Sequence, residues 1–305
     1  MKLSRYPVWL SFYSIFCMVF KKGLLVLLSF TLTFSAAQSS VDIDIEALFG
    51  NSTEQQPKKV VVVQGTGDSE SILRIIASHF NQKYPEITVL VPDGIGSLGG
   101  VRSLLNGGAD LARTARSFTL ESRGGGREIF MVDVPLVFVI HRSVKGVDNL
   151  SQEQILQIYS GGISNWTELG GPNAKIYPVT RQAGASSFIA LKSSIDKFGE
   201  GHTVSKIFYS TTDVEQAVAD HDYTIGYLPL SAVVNSNLKV LSLNGVAPTL
   251  EALQSGDYPH KITFYLTAKK SPKEHVKTFV DFATSEEAKA LYADLLENKL
   301  TNIVE

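Results

Sequence analysis

Apolar residues in this chain follow two patterns, short unbroken runs and helical spacings, and glycine or serine stands at most junctions between them. Residues 60–63, all valine, form the first run, as in a strand covered on both faces. Beyond Gly65-Thr66-Gly67-Asp68-Ser69, the residues Ile72, Ile75, Ile76 and Phe80 fall at i, i+3, i+4 and i+8, one face of a helix that Pro85 ends. Residues 87–91 predict a second strand. The loop Gly94-Ile95-Gly96-Ser97-Leu98-Gly99-Gly100 follows it, then Val101, Leu104 and Leu105 mark a helix stopping at Asn106-Gly107-Gly108. Residues 109–112 predict a third strand, with the polar segment 113–117 beyond it. Strands and helices in strict alternation with short loops argue a parallel α/β sheet, whose ligands sit beyond the carboxyl ends of the strands.

The longest β-like run after the N-terminal region is 134–140. A helical segment follows at 151–160, then a turn-rich stretch at 166–172 whose Trp166 is expected to be core. The strand predicted at 176–180 delivers Arg181 and the loop Gly184-Ala185-Ser186-Ser187, with Phe188, Ile189 and Leu191 beginning the next helix. Further strands are expected at 224–228, 238–243 and 262–266, and helices at 273–284 and 285–298. Two α/β halves joined by the long strands 134–140 and 262–266 predict two lobes around a cleft. Residues 58–138 with 262–305 make the first lobe and 142–258 the second. There is no sustained internal repeat.

Composition narrows the function classes. The 305 residues are 44% hydrophobic and 19% charged, with a formal net charge of −2. That is a globular chain with no electrostatic case for nucleic acid or an anionic membrane surface. Its one cysteine is Cys17. Lys21-Lys22, the apolar run 23–34 and Ser35-Ala36-Ala37 have the layout of a secretory signal, assigned to residues 1–37. An apolar stretch at 6–20 makes this presequence long, and Met18 is the expected true start. Both runs are shorter than the roughly 20 apolar residues of a membrane span, so a soluble exported protein is expected. Residues 38–57 read as a loose leader. With the signal removed, no thiol remains, which excludes a cysteine metal site and suits an oxidising compartment.

The candidate chemistry lies in the three strand–Gly/Ser–helix junctions. Glycines allow close backbone approach, and unpaired N–H groups at a helix start favour an anion. Three such junctions, with arginines nearby, can converge on one oxyanion. Arg181 is the expected clamp, since a guanidinium matches oxyanion geometry. Arg113 and Arg116 flank the third strand, and one of them is expected to face solvent. The six histidines show no HxxH or HExxH spacing, and no Gly-x-Ser-x-Gly elbow exists, because Ile95 stands two residues before Ser97.

From about residue 60 onward the chain resembles the periplasmic phosphate-binding proteins of ABC transporters, within the type II two-lobed binding proteins. The resemblance rests on Gly65 to Ser69, the Gly94 to Gly100 loop, and Ala109-Asp110-Leu111 with Thr114-Ala115-Arg116. It also rests on Asn165-Trp166-Thr167-Glu168-Leu169-Gly170-Gly171-Pro172, on residues 181–188 and on Ile225-Gly226-Tyr227. It implies an α/β fold of two mixed sheets flanked by helices, with a hinged cleft and an anhydrous phosphate site. It further implies a periplasmic monomer without cofactor, metal or catalysis, partnered by a membrane permease. Position by position, the ligand hydroxyls fall on Ser69, Ser97, Ser186 and Ser187, the clamping arginine on Arg181, and a further arginine on Arg116.

The sequence departs from the family pattern at three places. Ala115 stands where some relatives use an aspartate to accept the proton of hydrogen phosphate. The last loop has Ala185 where a hydroxyl is usual. Asp68 and Glu70 put carboxylates beside an anion loop, where they would repel the ligand. The alternatives are therefore another tetrahedral oxyanion (sulfate, molybdate or tungstate) or a secreted sensor or phosphoesterase using the same cleft. Weakened discrimination against sulfate is expected from Ala115 unless Asp68, Glu70 or Asp93 replaces the lost carboxylate.

Overall fold

The run of valines becomes β1 (Lys59–Gly65), which lies between β2 (Ile87–Leu90) and β3 (Leu111–Thr114), both parallel to it. The computed structural model describes residues 59–201, 203–234 and 236–304, so the expected signal and leader fall outside the described residues. Helix α1 (Glu70–Lys83) buries Ile72, Ile76 and Phe80 as the spacing predicts, but Leu73 is buried with them while Ile75 is only half-buried. Phe80 meets Phe279 and Phe282 edge-on. Full burial of each such side chain contributes about 1.5–3 kcal/mol.

Helix α2 (Ser97–Leu105) lies so close to β1 that a Cβ on Gly100 would stand 2.5 Å from Gly65 Cα and 2.6 Å from Gln64 O. Gly100→Ala is therefore expected to lower stability by about 1–3 kcal/mol, as overpacking does. The urea midpoint measures this, and an unchanged midpoint would contradict the close contact.

The third strand begins two residues later than the apolar pattern suggests. Asp110 is held outside the ladder, its carboxylate accepting from Val62 N at 3.0 Å while its own N–H donates to Val62 O. Pairing starts at Leu111 opposite Val63. This shift draws Arg113 and Thr114 into the strand, where both are buried.

The expected run 134–140 is the second half of a longer strand, β4 (Arg127–Ile140). Its first part pairs antiparallel with β11 (Lys261–Ala268), and residues 136–140 pair antiparallel with β8 (Thr224–Pro229). Expected as two sheets, these strands form one nine-stranded sheet in the order β2-β1-β3-β11-β4-β8, then β6 (Tyr177–Arg181) and β7 (Lys206–Phe208), with β9 (Lys239–Val240) also on β4. β4 is long enough to carry the ladder through both halves. In the second half β6 runs parallel to β8 and to β7. A second core gathers there around Phe138, Tyr159, Phe198 and Tyr227, while the first surrounds Phe80 and Phe264. Trp166 is buried, as expected, with its indole N–H donating to Tyr223 O.

Register places the strand ends. β3 and β4 both run antiparallel to β11, so β1, β3 and β4 share a direction, whereas β8 and β6 oppose β4. Thr114 at the end of β3 pairs with Tyr265, which pairs with Phe130; Pro229 at the end of β8 pairs with Leu136. The carboxyl ends of the two strand sets therefore face one another across the middle of β4.

The remaining elements are α3 (Gln152–Ser160), α4 (Ser186–Ser194), α5 (Thr211–Asp220), α6 (Leu250–Ser255), α7 (Glu274–Ala283) and α8 (Glu286–Val304). The single strand expected at 238–243 is two short ones. β9 (Lys239–Val240) pairs with β4, while β10 (Ser242–Leu243) turns to β5 (Asn149–Leu150). Among the described residues no helix is long and apolar enough to cross a membrane.

Candidate oxyanion site

The facing strand ends deliver the Gly/Ser loops predicted from sequence. After β1, Thr66 caps a 3-10 turn at Gly67–Ser69, and α1 follows directly. Gly96, with φ of 77°, opens α2, a conformation that favours glycine. Ala185 precedes α4 in extended conformation. None of these three helix starts has a side-chain cap. By contrast Ser151 caps α3, Ser210 caps α5, Thr249 caps α6 and Ser285 bonds the first turn of α8. Helix α7 is also uncapped, but Lys273 before it is exposed. The helices that start from the buried loops thus keep their first N–H groups free of capping side chains, the arrangement that binds anions.

Two of the hydroxyls are linked to each other and three are left without a partner. Ser97 Oγ accepts from Ala115 N at 3.0 Å and lies 3.0 Å from Ser186 Oγ, which ties the second Gly/Ser loop to the third. Both serines are about 6% exposed. Ser69, Thr114 and Ser187 are buried more deeply, and their hydroxyls have no partner. Buried hydroxyls are seldom left unpaired, so orphans at two anion-favouring helix starts and at the end of β3 point to a ligand.

The three arginines divide. Arg181 is 7% exposed; its Nη1 donates to Thr211 Oγ1 at 2.7 Å and its Nη2 to Tyr209 O at 3.1 Å, while Nε has no partner. The Tyr227 hydroxyl accepts from Arg181 N at 3.0 Å and pairs with the Thr180 hydroxyl at 2.8 Å. Burial pushes that phenol up to about 12, against the pull of these bonds. Arg116 lies partly exposed at the rim, donating to Gly184 O at 3.3 Å with its guanidinium 5.1 Å from the Phe118 ring. Arg113 is neither exposed nor available to a ligand. Its guanidinium donates to Thr66 O, Val63 O and Pro92 O and pairs with Glu70 at 3.3 Å.

Two further residues stand beside Arg181: Asp68, which the sequence offers only as a carboxylate working against the ligand, and Thr211, which the sequence reading missed. Asp68 is buried, accepts from the Thr66 and Thr211 hydroxyls, and stands 3.6 Å from Arg181 Nη1. Thr211 is the first residue of α5, in a stretch to which no element was assigned. The signal was present in Ser210 as cap and in the buried set Thr211, Val214, Ala217 and Val218 at helical spacing.

A groove of about 900 Å³ lies at the opposite ends of β6 and β8, lined by Tyr177, Val204, Lys206, Phe208 and Asp222 among others, and none of the predicted site residues touches it. Among the described residues no group of three or more His, Cys, Asp or Glu side chains could hold a metal ion.

Residues 51–287 match the model of the PBP superfamily domain. The phosphate-binding protein PstS of Borreliella burgdorferi is 28% identical over 252 residues, spanning 78% of this chain and 89% of its own length. The protein of the same name from Bacillus subtilis is 24% identical over 238 residues, spanning 77% and 78%. A Clostridium perfringens substrate-binding protein, solved with bound phosphate, superposes with a TM-score of 0.69 at 25% identity, over 78% of this chain and 98% of its own.

Proposed function

The chain belongs to the PBP superfamily, and from that premise we propose that it captures phosphate outside the cytoplasm and delivers it to the permease of an ABC transporter. One observation carries the reading. Three uncapped helix starts and the orphaned hydroxyls of Ser69, Thr114 and Ser187 are gathered with Arg181, whose Nε is also orphaned. A dehydrated tetrahedral anion needs such a set of donors around one cation. The names of the PstS relatives and the phosphate held by the Clostridium protein support phosphate as that anion.

In this reading Ser69, Ser97, Ser186 and Ser187 give hydroxyl bonds to the ligand and Arg181 balances its charge. Arg116 covers the site from the rim. Residues 58–138 with 262–305 act as one lobe and 142–258 as the other, and β4 is a hinge strand where its partner changes from β11 to β8. Export through residues 1–37 leaves a periplasmic monomer that recruits no cofactor and catalyses nothing.

Calorimetric titration with phosphate, sulfate, molybdate and tungstate tests the function. Saturable phosphate binding at one site per chain is expected. Absence of binding by all four anions would contradict the reading, and tungstate or molybdate binding without phosphate would reassign the ligand.

A further inference from the structure

Arg113 is fully buried and out of a ligand's reach, yet its bonds run to two of the three anion loops. Its Nε donates to Thr66 O at 2.8 Å, Nη1 to Val63 O at 3.0 Å and Nη2 to Pro92 O at 2.7 Å. Its own carbonyl accepts from Thr66 N at 3.0 Å, and a Cβ on Gly65 would stand 1.9 Å from that oxygen. One residue thus grips the first loop by side chain and main chain, and the approach to the second by side chain.

The two loops also touch each other. Ile95 N donates to Gly65 O at 2.8 Å, and a Cβ on Gly94 would stand 2.5 Å from Gly67 N. The third loop is held by other groups, Arg116 through Gly184 O and Ser97 through Ser186. The charges around Arg113 cancel. Glu70 pairs with Arg113 at 3.3 Å and with Arg74 at 2.7 Å, and Arg74 pairs with Asp93 at 2.8 Å, so each cation is matched by a carboxylate. A balanced cluster gives an anion beyond it little net attraction. What it can supply is geometry.

A peptide group is planar and trans, so its C=O and N–H point in opposite directions. Holding Thr66 O against Arg113 turns Gly67 N–H away from the guanidinium, and holding Pro92 O does the same for Asp93 N–H. Those peptides lead directly into the turns that carry Ser69 and Ser97. We propose that Arg113 is a positioning residue for the anion: it sets the peptide planes and the spacing of the first two loops, so that their donors are aimed before a ligand arrives. A guanidinium suits the task because its fork holds donors in fixed directions, whereas the donors of an ammonium all leave one atom. Donors aimed in advance need not be ordered on binding, so losing their alignment lowers affinity. The proposal rests on reading the loops as an oxyanion site.

Calorimetric titration of the exported chain with inorganic phosphate tests it, using Arg113→Met and Arg113→Lys, each held well below its unfolding midpoint. Arg113→Met should lose about tenfold or more in phosphate affinity, in addition to its lower midpoint. Arg113→Lys, which can reach only part of the carbonyl set, should lose a smaller share, and it carries the comparison if the methionine variant does not fold. A role in stability alone would leave every folded variant at the wild-type affinity. Double-mutant cycles give the second readout. Arg113→Lys with Ser69→Ala should depart from additivity by about threefold or more in the dissociation constant, because both act through the first loop. Arg113→Lys with Ser187→Ala, on the third loop, should be additive. Affinities within about twofold of the wild type in the folded Arg113 variants would overturn the assignment while leaving the phosphate site intact. Equal coupling to Ser69 and Ser187 would also overturn it, since that is general loosening. A wild type that binds no phosphate would overturn the oxyanion reading and the assignment with it.

Discussion

Arg181→Ala is expected to weaken phosphate binding by about thirtyfold or more, about 2–5 kcal/mol, the range for truncating one partner of a buried charged pair. Arg181 is the buried cation of the loop group whose Nε is still unpartnered. Thr211, the Tyr209 carbonyl and the Tyr227 hydroxyl fix its position before any ligand arrives. Preorganisation of this kind puts the loss into affinity, because the arginine need not be ordered on binding. Arg181→Lys should recover only part of it, since an ammonium cannot reproduce the planar fork. The truncation also leaves Asp68 buried without its cation, so a lower unfolding midpoint is expected alongside. Titration calorimetry decides the main point, and an unchanged dissociation constant would move the anion elsewhere.

Arg113→Ala is expected to cost about 3–5 kcal/mol of stability, as for removing one member of a buried ion pair. The side chain is entirely buried, and it ties the end of β1 and the approach to the second loop together through the carbonyls of Val63, Thr66 and Pro92. Burial pulls its guanidinium down to about 10, with Glu70 pulling back, so it stays charged at neutral pH. Its removal orphans three carbonyls and unbalances Glu70. Arg113→Met, which keeps the apolar stem, should recover some packing but not the bonds. A fall in the urea midpoint at unchanged slope is the expected signature. A midpoint equal to the wild type would mean that water or Arg74 takes over the abandoned partners.

The sequence made the strands legible as unbroken apolar runs, because four valines in a row or the run 134–140 can satisfy no helical stripe; the run 134–140 is buried throughout, whereas β1, expected to be covered on both faces, leaves Val60 exposed and Val62 half-buried. The anion loops were legible because the glycine–serine pattern between a strand and an apolar helix face, which singly marks only a tight turn, recurs three times with arginines nearby. Strand limits were harder to read where side chains act on the backbone. Asp110 holds the chain off the ladder that its apolar neighbours suggest. The first part of β4 was missed because Arg127, Glu128 and Asp133 interrupt its apolar pattern, although β11 pairs along its whole length. Arg113 and Arg116 were indistinguishable as residue types; a shift of two positions in β3 decides that the first is buried scaffold and the second lies at the rim. Asp68 read as a liability beside an anion loop because its partners, Thr211 and Arg181, are more than a hundred residues away in sequence.

The central claim is that the facing strand ends hold the anion, and a crystal structure of the exported protein grown with phosphate tests it most directly. The account predicts a phosphate among the starts of α1, α2 and α4, within hydrogen-bond distance of Arg181 and of hydroxyls from Ser97, Ser186 and Ser187. A phosphate bound only in the groove beside Tyr177 and Lys206, with the Ser97–Ser186 contact undisturbed, would contradict it.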